Sequence, residues 1–404
     1  MQNYQKLSLI ILYIYYAMLL SSAGAVISQS ILSFGLLKDA ASYLDGYKDI
    51  PAVIVSFFAA GIAYRFGYKL VVIASLVLTS LACMLMPIFP SFTTVKILFI
   101  IVGVCFVFIK VSVYPIIGLI TNDSKQHASL TSTVEGMFMV GVLIGAWVFA
   151  YFVDDIDQTS LKWLRVYWLL AVIGGISSLI WMLIRIPEYE KHEKTEAVNF
   201  YTATKGLLVY SFTIFFLLGA FVYVLIEQGL STWLPTFNRE ILKADPSLAI
   251  EIGSLMAGAS ASGRILYGMI FRRINWFLPL IVSIFMAIAL IITSVIWLPN
   301  VTNSISKWSQ APVQIYILPL VGFFIAPIYP TLNSVILSSL PKKQHASMSA
   351  LIIVFSAIGS TTGSIIVGNV FQLIGGKFTY LVLIIPLTLL AAILTKLKQE
   401  LQNQ

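Results

Sequence analysis

The sequence predicts an all-α membrane protein: twelve transmembrane helices in two six-helix bundles that repeat in parallel. Three observations carry the prediction. Of 404 residues, 59% are hydrophobic and only 10% charged, whereas a chain that covers itself against water carries about a quarter charged residues. The apolar residues fall in runs long enough to cross a bilayer, which takes about 20 residues. The sequence also repeats itself. Lys125-Gln126-His127-Ala128-Ser129 returns as Lys343-Gln344-His345-Ala346-Ser347, and Gly141 and Gly145 follow the first copy at the offsets at which Gly359 and Gly363 follow the second. A Tyr-Pro pair precedes each copy, Tyr114-Pro115 and Tyr329-Pro330. One shared pentapeptide is within reach of chance; three features in one order are a duplication.

The spans run roughly over 7–37, 45–66, 69–89, 94–121, 129–153, 163–186, 205–235, 248–271, 275–298, 312–340, 346–374 and 378–396. The first has the outline of a secretory signal, with Leu7–Leu20 followed by the small residues Ser21-Ser22-Ala23-Gly24-Ala25. Its apolar run continues to Leu37, however, and cleavage would leave the halves unequal. The long polar interruption at mid-chain is Arg185–Lys205, a solvated linker rich in Glu and Lys. The expected domains are therefore a bundle over 1–186, a linker over 187–204 and a bundle over 205–404. Weaker matches agree with that division: Ile27-Ser28-Gln29 in span 1 with Ile226-Glu227-Gln228 in span 7, and Gly61 and Arg65 after span 2 with Gly268 and Arg272 after span 8. Span 10 holds Pro319, Gly322, Pro327 and Pro330, which predicts a bent helix. Trp233-x-Pro235 predicts a break in span 7. Cys83 and Cys105 fall inside apolar runs and read as reduced thiols.

Lys and Arg in the loops set the orientation. With both termini inside, fourteen lie on the cytoplasmic side and nine outside, and the acidic cluster Asp154-Asp155 with Asp157 falls outside. A multi-pass protein of a bacterial inner membrane with both termini cytoplasmic follows. The net charge of +8 is spread over short loops, so it is no nucleic-acid signal.

Two halves repeated in parallel, a basic loop after spans 2 and 8 and a long central cytoplasmic loop resemble the major facilitator superfamily over the whole chain. The loop Gly61-Ile62-Ala63-Tyr64-Arg65-Phe66-Gly67-Tyr68-Lys69 keeps the Gly, Arg, Gly and Lys of that family's loop signature and puts Tyr64 where it has an aspartate. Span 7, from Tyr223-Val224-Leu225-Ile226-Glu227 to Trp233-Leu234-Pro235, is similar to the same helix in fucose–galactose–proton symporter relatives. Sugar members of that group carry acids in spans 1 and 4; here span 1 has none between Lys6 and Lys38, and span 4 carries Lys110. The resemblance implies a secondary active transporter working by alternating access, with spans 1, 4, 7 and 10 lining a central cavity. Proton-coupled import of a small polar solute is the expected function, a sugar first. An amino acid or short peptide, an organic anion, and proton-driven export of a drug-like compound are the alternatives. A non-transporting sensor and a membrane enzyme or lipid flippase stand outside that class.

An ionisable side chain deep in a membrane costs roughly 2.5–3.5 kcal/mol or more, so each needs a reason. Four stand out: Lys110, Glu135, Glu227 and Arg264. Lys110 lies about 16 Å from the nearer end of its span at 1.5 Å per residue; it either faces substrate or forms a structural pair with Glu135. Glu227 either carries a proton or a substrate contact, or braces its helix. Tyr223, Tyr316 and Tyr329 offer stacking and hydroxyl contacts, as do Tyr13, Tyr15 and Tyr16, although tyrosine is also common packing material. Gln29 and Asn333 are polar and mid-span. Glu135 and Arg264 lie at matching depths, about 9 and 10 Å from the cytoplasmic end. With helices 5 and 8 facing each other, as the resemblance implies, they form a bridge that closes the inner gate in the outward-facing state. His127 and His345 read as solvated helix starts, with Ser129 and Ser347 near cap positions, rather than as a proton relay. The glycine pairs read as sites of close helix approach. The sequence shows no nucleotide-binding loop, metal-ligand cluster or nucleophile–base pair, so the expectation is no enzyme, no cofactor and no metal. Expected partners are a small-molecule substrate, a proton and the lipid bilayer, with no nucleic acid, and the expected state is a monomer.

Overall fold

In lipid, backbone N–H and C=O groups have no water to bond, so long apolar runs close their hydrogen bonds as helices. The computed structural model describes residues 2–121, 124–186, 211–270, 275–298, 304–340 and 345–402. The expected linker 187–204, Arg272 and Lys343-Gln344 lie outside the described residues, as do the side chains of His345 and Ser347. In chain order the helices are α1 (Gln2–Leu20), α2 (Ala23–Phe34), α3 (Lys38–Ser42), α4 (Leu44–Phe66), α5 (Tyr68–Ile88), α6 (Phe92–Ile120), α7 (Ser124–Tyr151), α8 (Val166–Leu183), α9 (Ser211–Glu240), α10 (Pro246–Ile270), α11 (Phe277–Ile296), α12 (Ile317–Ile325), α13 (Ile328–Ser338), α14 (His345–Ile374) and α15 (Ile384–Gln402). Eleven helical stretches among the described residues are long and apolar enough to cross a membrane. The twelfth expected span is α10, whose 25 residues include Glu251, Arg264 and a run of Ser and Gly that dilutes its apolarity.

The chain divides into two compact units, Met1–Leu36 with Leu44–His192, and Leu37–Tyr43 with Glu193–Gln404. In the first unit α1 packs on α7, α4 on α6, and α5 on both α6 and α8. In the second, α9 packs on α14, α10 on α12, and α9 on α15. The repeated glycines do the same work in both. A Cβ at Gly141 would lie 2.8 Å from the Ile14 carbonyl oxygen, and one at Gly145 would lie 2.9 Å from Met18 Cα, so α7 meets α1 backbone to backbone. A Cβ at Gly359 or Gly363 would lie 2.4 Å from the Phe221 oxygen or 2.1 Å from the Leu225 oxygen, so α14 meets α9 in the same way.

Span 1 breaks between α1 and α2, where Ser21 Oγ donates to the Ala17 carbonyl and Ser22 Oγ to the Leu19 carbonyl, both at 2.7 Å. Such local bonds give the backbone an alternative to the helix ladder. Span 10 bends as its prolines predict, between α12 and α13 at Ala326-Pro327. Span 7 does not break at Pro235: α9 is continuous to Glu240. Proline there removes one N–H, and the helix around it is held by Trp233 Nε1 donating to the Ser364 carbonyl at 2.9 Å. Ser129 is no cap either, since α7 begins at Ser124 and the Ser129 carbonyl accepts from Thr133 Oγ1 inside the helix. Between α7 and α8, Asp154 accepts from Lys162 and from the backbone N–H groups of Asp157 and Ile156, and the Lys162 contact foremost holds its carboxyl below the usual range.

Leu37–Tyr43, although it follows span 1, packs with the second unit. Lys38 Nζ lies 3.1 Å from Glu240 and 5.1 Å over the Phe371 ring, and its backbone N–H donates to Gln372.

Candidate functional site

Each unit gathers part of the expected site, and each part is built on the face of one helix. In the first unit that helix is α6. Phe106, Lys110 and Tyr114 follow at i, i+4 and i+8, which places them on one stripe. Phe106 is the floor: its ring centroid lies 6.4 Å from Tyr13 of α1 and 5.7 Å from Phe138 of α7. Lys110 Nζ stands 5.1 Å over the Phe106 ring, a cation–π arrangement. One turn on, the Tyr114 hydroxyl donates to Glu135 Oε1 of α7 at 2.7 Å. Lys110 of α6 and Glu135 of α7 make no ion pair with each other; Glu135 takes a hydroxyl donor instead. Gln29 sits on α2, 2% exposed, and its Nε2 has no hydrogen-bond partner.

In the second unit the helix is α9. Glu227 Oε1 lies 3.6 Å from Arg264 Nη2 of α10, with both side chains partly exposed. One turn before Glu227, Tyr223 is buried and stacks on Tyr329 of α13, with centroids 5.5 Å apart at 22°. The Tyr329 hydroxyl is 3.1 Å from Ser356 Oγ of α14. Asn333, one turn beyond Tyr329 on α13, keeps a buried Oδ1 without a hydrogen-bond partner. Tyr316 stands apart: it closes a short 3-10 turn before α12, 43% exposed, and the bend at Ala326-Pro327 separates it from Tyr329.

Glu135 and Arg264, expected as a gate pair, each have a partner within their own unit, Tyr114 and Glu227. The partner of Glu135 was open to reading, since Tyr114 belongs to the repeated Tyr-Pro pair, but nothing in the sequence assigns it that contact. A further charged group lies outside the residues singled out from the sequence. Lys48 of α4 lies 3.0 Å from Asp45 and 3.9 Å from Asp49, and Asp45 is fully buried. Spacings of i, i+3 and i+4 were the signal; their place at the edge of an expected span hid it. Among the described residues no group of three or more His, Cys, Asp or Glu is placed to hold a metal ion.

The profile described as Major Facilitator Superfamily matches residues 9–364. A Protein TsgA homolog of Buchnera aphidicola subsp. Acyrthosiphon pisum (strain Tuc7) is 25% identical over 240 residues, which is 59% of this chain and 56% of that protein. The match thus spans little more than half the length of that curated relative. Among solved structures, a bacterial homologue of the human lysosomal transporter Spinster, inward-facing and unoccupied, aligns with a TM-score of 0.76 at 15% identity over 99% of this chain and 97% of that one. The nucleoside transporter NupG gives 0.73 at 14% identity over 97% of this chain and 98% of that one. A variant of the E. coli fucose:proton symporter FucP gives 0.62 at 16% identity over 98% of each. At these identities the likeness is one of fold.

Proposed function

The chain belongs to the major facilitator superfamily and is a multi-pass membrane transporter, not an enzyme; from that premise we propose that it imports a small polar solute together with a proton. Alternating access, a monomeric state, both termini in the cytoplasm and a bacterial inner membrane complete the reading. The observation that carries it is the pair between Glu227 of mid-α9 and Arg264 of α10, 3.6 Å apart and partly exposed. A carboxylate in a low-dielectric bundle is held ionised by a guanidinium, and it becomes a proton acceptor whenever that guanidinium moves away. The loose separation leaves room for the exchange, and Tyr223 beside Glu227 gives the site an aromatic wall.

The sugar reading is supported by the span 7 pattern and by the stacked Tyr223–Tyr329 pair, with Asn333 as a further polar contact. The fold neighbours include a fucose:proton symporter and a nucleoside transporter. The Glu135–Arg264 inner gate belongs to the same proposal: it requires Glu135 to leave Tyr114 and Arg264 to leave Glu227 during the cycle.

The test is transport in proteoliposomes. If Glu227 carries the proton, Glu227→Gln abolishes gradient-driven uptake while counterflow of labelled solute survives. If Glu227 also holds the solute, counterflow is lost as well. Normal gradient-driven uptake by Glu227→Gln at every pH would sink the proposal.

A further inference from the structure

Among the described residues of the first unit, the exposed Lys110 is a mid-span cation with no carboxylate against it. Lys110 lies ten residues from the C-terminal end of α6 and eighteen from its N-terminal end, about 15 and 27 Å at 1.5 Å per residue. Its ammonium is too deep to reach a headgroup layer by extending along the helix. The carboxylates that could answer it are committed elsewhere. Glu135 accepts from Tyr114 at 2.7 Å, and Asp45 and Asp49 flank Lys48. Among the described residues of the unit, Lys110 has the Phe106 ring as its contact and no carboxylate as a partner. A ring face attracts a cation but does not neutralise it.

A second observation sits on the same floor. Tyr13, whose ring meets both Phe106 and Phe138, is fully buried, and its hydroxyl has no partner at hydrogen-bond distance. The Tyr114 hydroxyl interacts with it but gives its own proton to Glu135. A buried polar group without a partner calls for an explanation, and an absent ligand is one. The first unit therefore brings together one positive charge, one buried hydroxyl without a close hydrogen bond and an aromatic surface, all from α1, α6 and α7.

We propose that the transported solute carries a single anionic group, a carboxylate, and that Lys110 receives it. This rests on the reading of the chain as a transporter. A neutral solute would leave the Lys110 charge unanswered in the middle of the membrane; a monoanion answers it. Lysine is a compact single charge; one carboxylate balances it, whereas a phosphate dianion would bring a second negative charge that no other cation beside it, among the described residues, answers. The aromatic floor of Phe106, Tyr13 and Phe138 suits the body that bears it.

The experiment uses the purified full chain and matched probes: D-gluconate with sorbitol, L-lactate with 1,2-propanediol, and benzoate with benzamide, read by thermal shift and calorimetry. The expected result is stabilisation by at least one acid and none by its neutral partner. Lys110→Gln then weakens binding of that acid by about 30-fold or more, the scale of removing one partner of a desolvated charge pair, while Lys110→Arg retains most of it. Equal response to acid and neutral partner, no response to any acid, or unchanged affinity in Lys110→Gln overturns the inference. Should Lys110→Gln fail to fold, the wild-type comparison of acid with neutral partner decides alone. Gradient-driven uptake separates the two readings. An acid that binds through Lys110 but is never carried fails the transporter reading and leaves the subsite; a neutral solute that is carried does the reverse.

Discussion

Asp45, Lys48 and Asp49 occupy one turn of α4, and their side chains are 0%, 10% and 16% exposed. Two carboxylates share one ammonium, so removing it takes from both the cation that lies 3.0 and 3.9 Å away. Breaking a buried pair by deleting one partner costs about 3–5 kcal/mol, because the remaining charge is stranded. Lys48→Met is therefore expected to lower the melting temperature steeply, and Asp45→Asn added to it should recover part of the loss. A Lys48→Met protein that melts with the wild type would show that water already reaches these carboxylates. The contrast with Lys110 explains what was readable at this scale. An ionisable residue deep inside an apolar run announces itself, as Lys110, Glu135, Glu227 and Arg264 did. Asp45 and Lys48 fall where an expected span begins, and there charge reads as solvated loop. Burial at that edge is decided by how closely α4 lies on α6, where a Cβ at Gly103 would sit 2.1 Å from the Lys48 carbonyl oxygen.

Close approach is also what the repeated glycines record at the scale of helices, and it ranks their substitutions. At Gly363 an added Cβ meets the Leu225 carbonyl oxygen at 2.1 Å, and backbone cannot swing away as a side chain can. At Gly141 the Ala17 Cβ at 2.7 Å and the Ile14 backbone at 2.8 Å are equally fixed but overlap less, and at Gly61 nothing lies within 4 Å. Overpacking costs typically about 1–3 kcal/mol, whereas Gly→Ala in an open helix gains up to about 1 kcal/mol. The expected order of thermal stability is Gly61→Ala at or above wild type, then Gly141→Ala, then Gly363→Ala lowest. Differential scanning fluorimetry on the three variants checks it, and Gly363→Ala at wild-type stability would refute the packing. The glycine pairs were legible because a duplication writes the same contact twice. The bend of span 10 was legible from its prolines. The unbroken α9 was not, since Pro235 removes one donor and the sequence does not say that Trp233 is pinned to α14. Nor does it say that Leu37–Tyr43 joins the second unit, because the ion pair that fixes Lys38 is made with Glu240, far along the chain.

For the whole molecule, the sequence identifies which mid-span charges exist, but the depth match that pairs Glu135 with Arg264 does not decide the partner. Depth along a helix leaves rotation and side-chain reach undetermined, so Arg264, matched by depth to Glu135, lies within 3.6 Å of Glu227, which starts from a deeper turn of the adjacent α9. The duplication supplied two bundles and the equivalence of α1 on α7 with α9 on α14. It could not supply an ion pair, because the charged positions differ between the halves. Partner choice is a property of a conformational state, and a transporter has more than one. If Arg264 exchanges Glu227 for Glu135 through the cycle, both pairings contribute to uptake, and charge reversal distinguishes them. Arg264→Glu alone should abolish gradient-driven uptake. Adding Glu135→Arg should restore a measurable part of it if the gate pair forms, whereas under the proposed coupling, in which Glu227 carries the proton, adding Glu227→Arg should restore none. The coupling between two such substitutions is the part of their joint effect that single changes do not predict. Rescue by Glu227→Arg in place of Glu135→Arg would make Arg264 a fixed counter-ion of α9 and remove the gate; rescue by neither, with the variants folded, would leave Arg264 needed as a cation in its own right and refute the exchange.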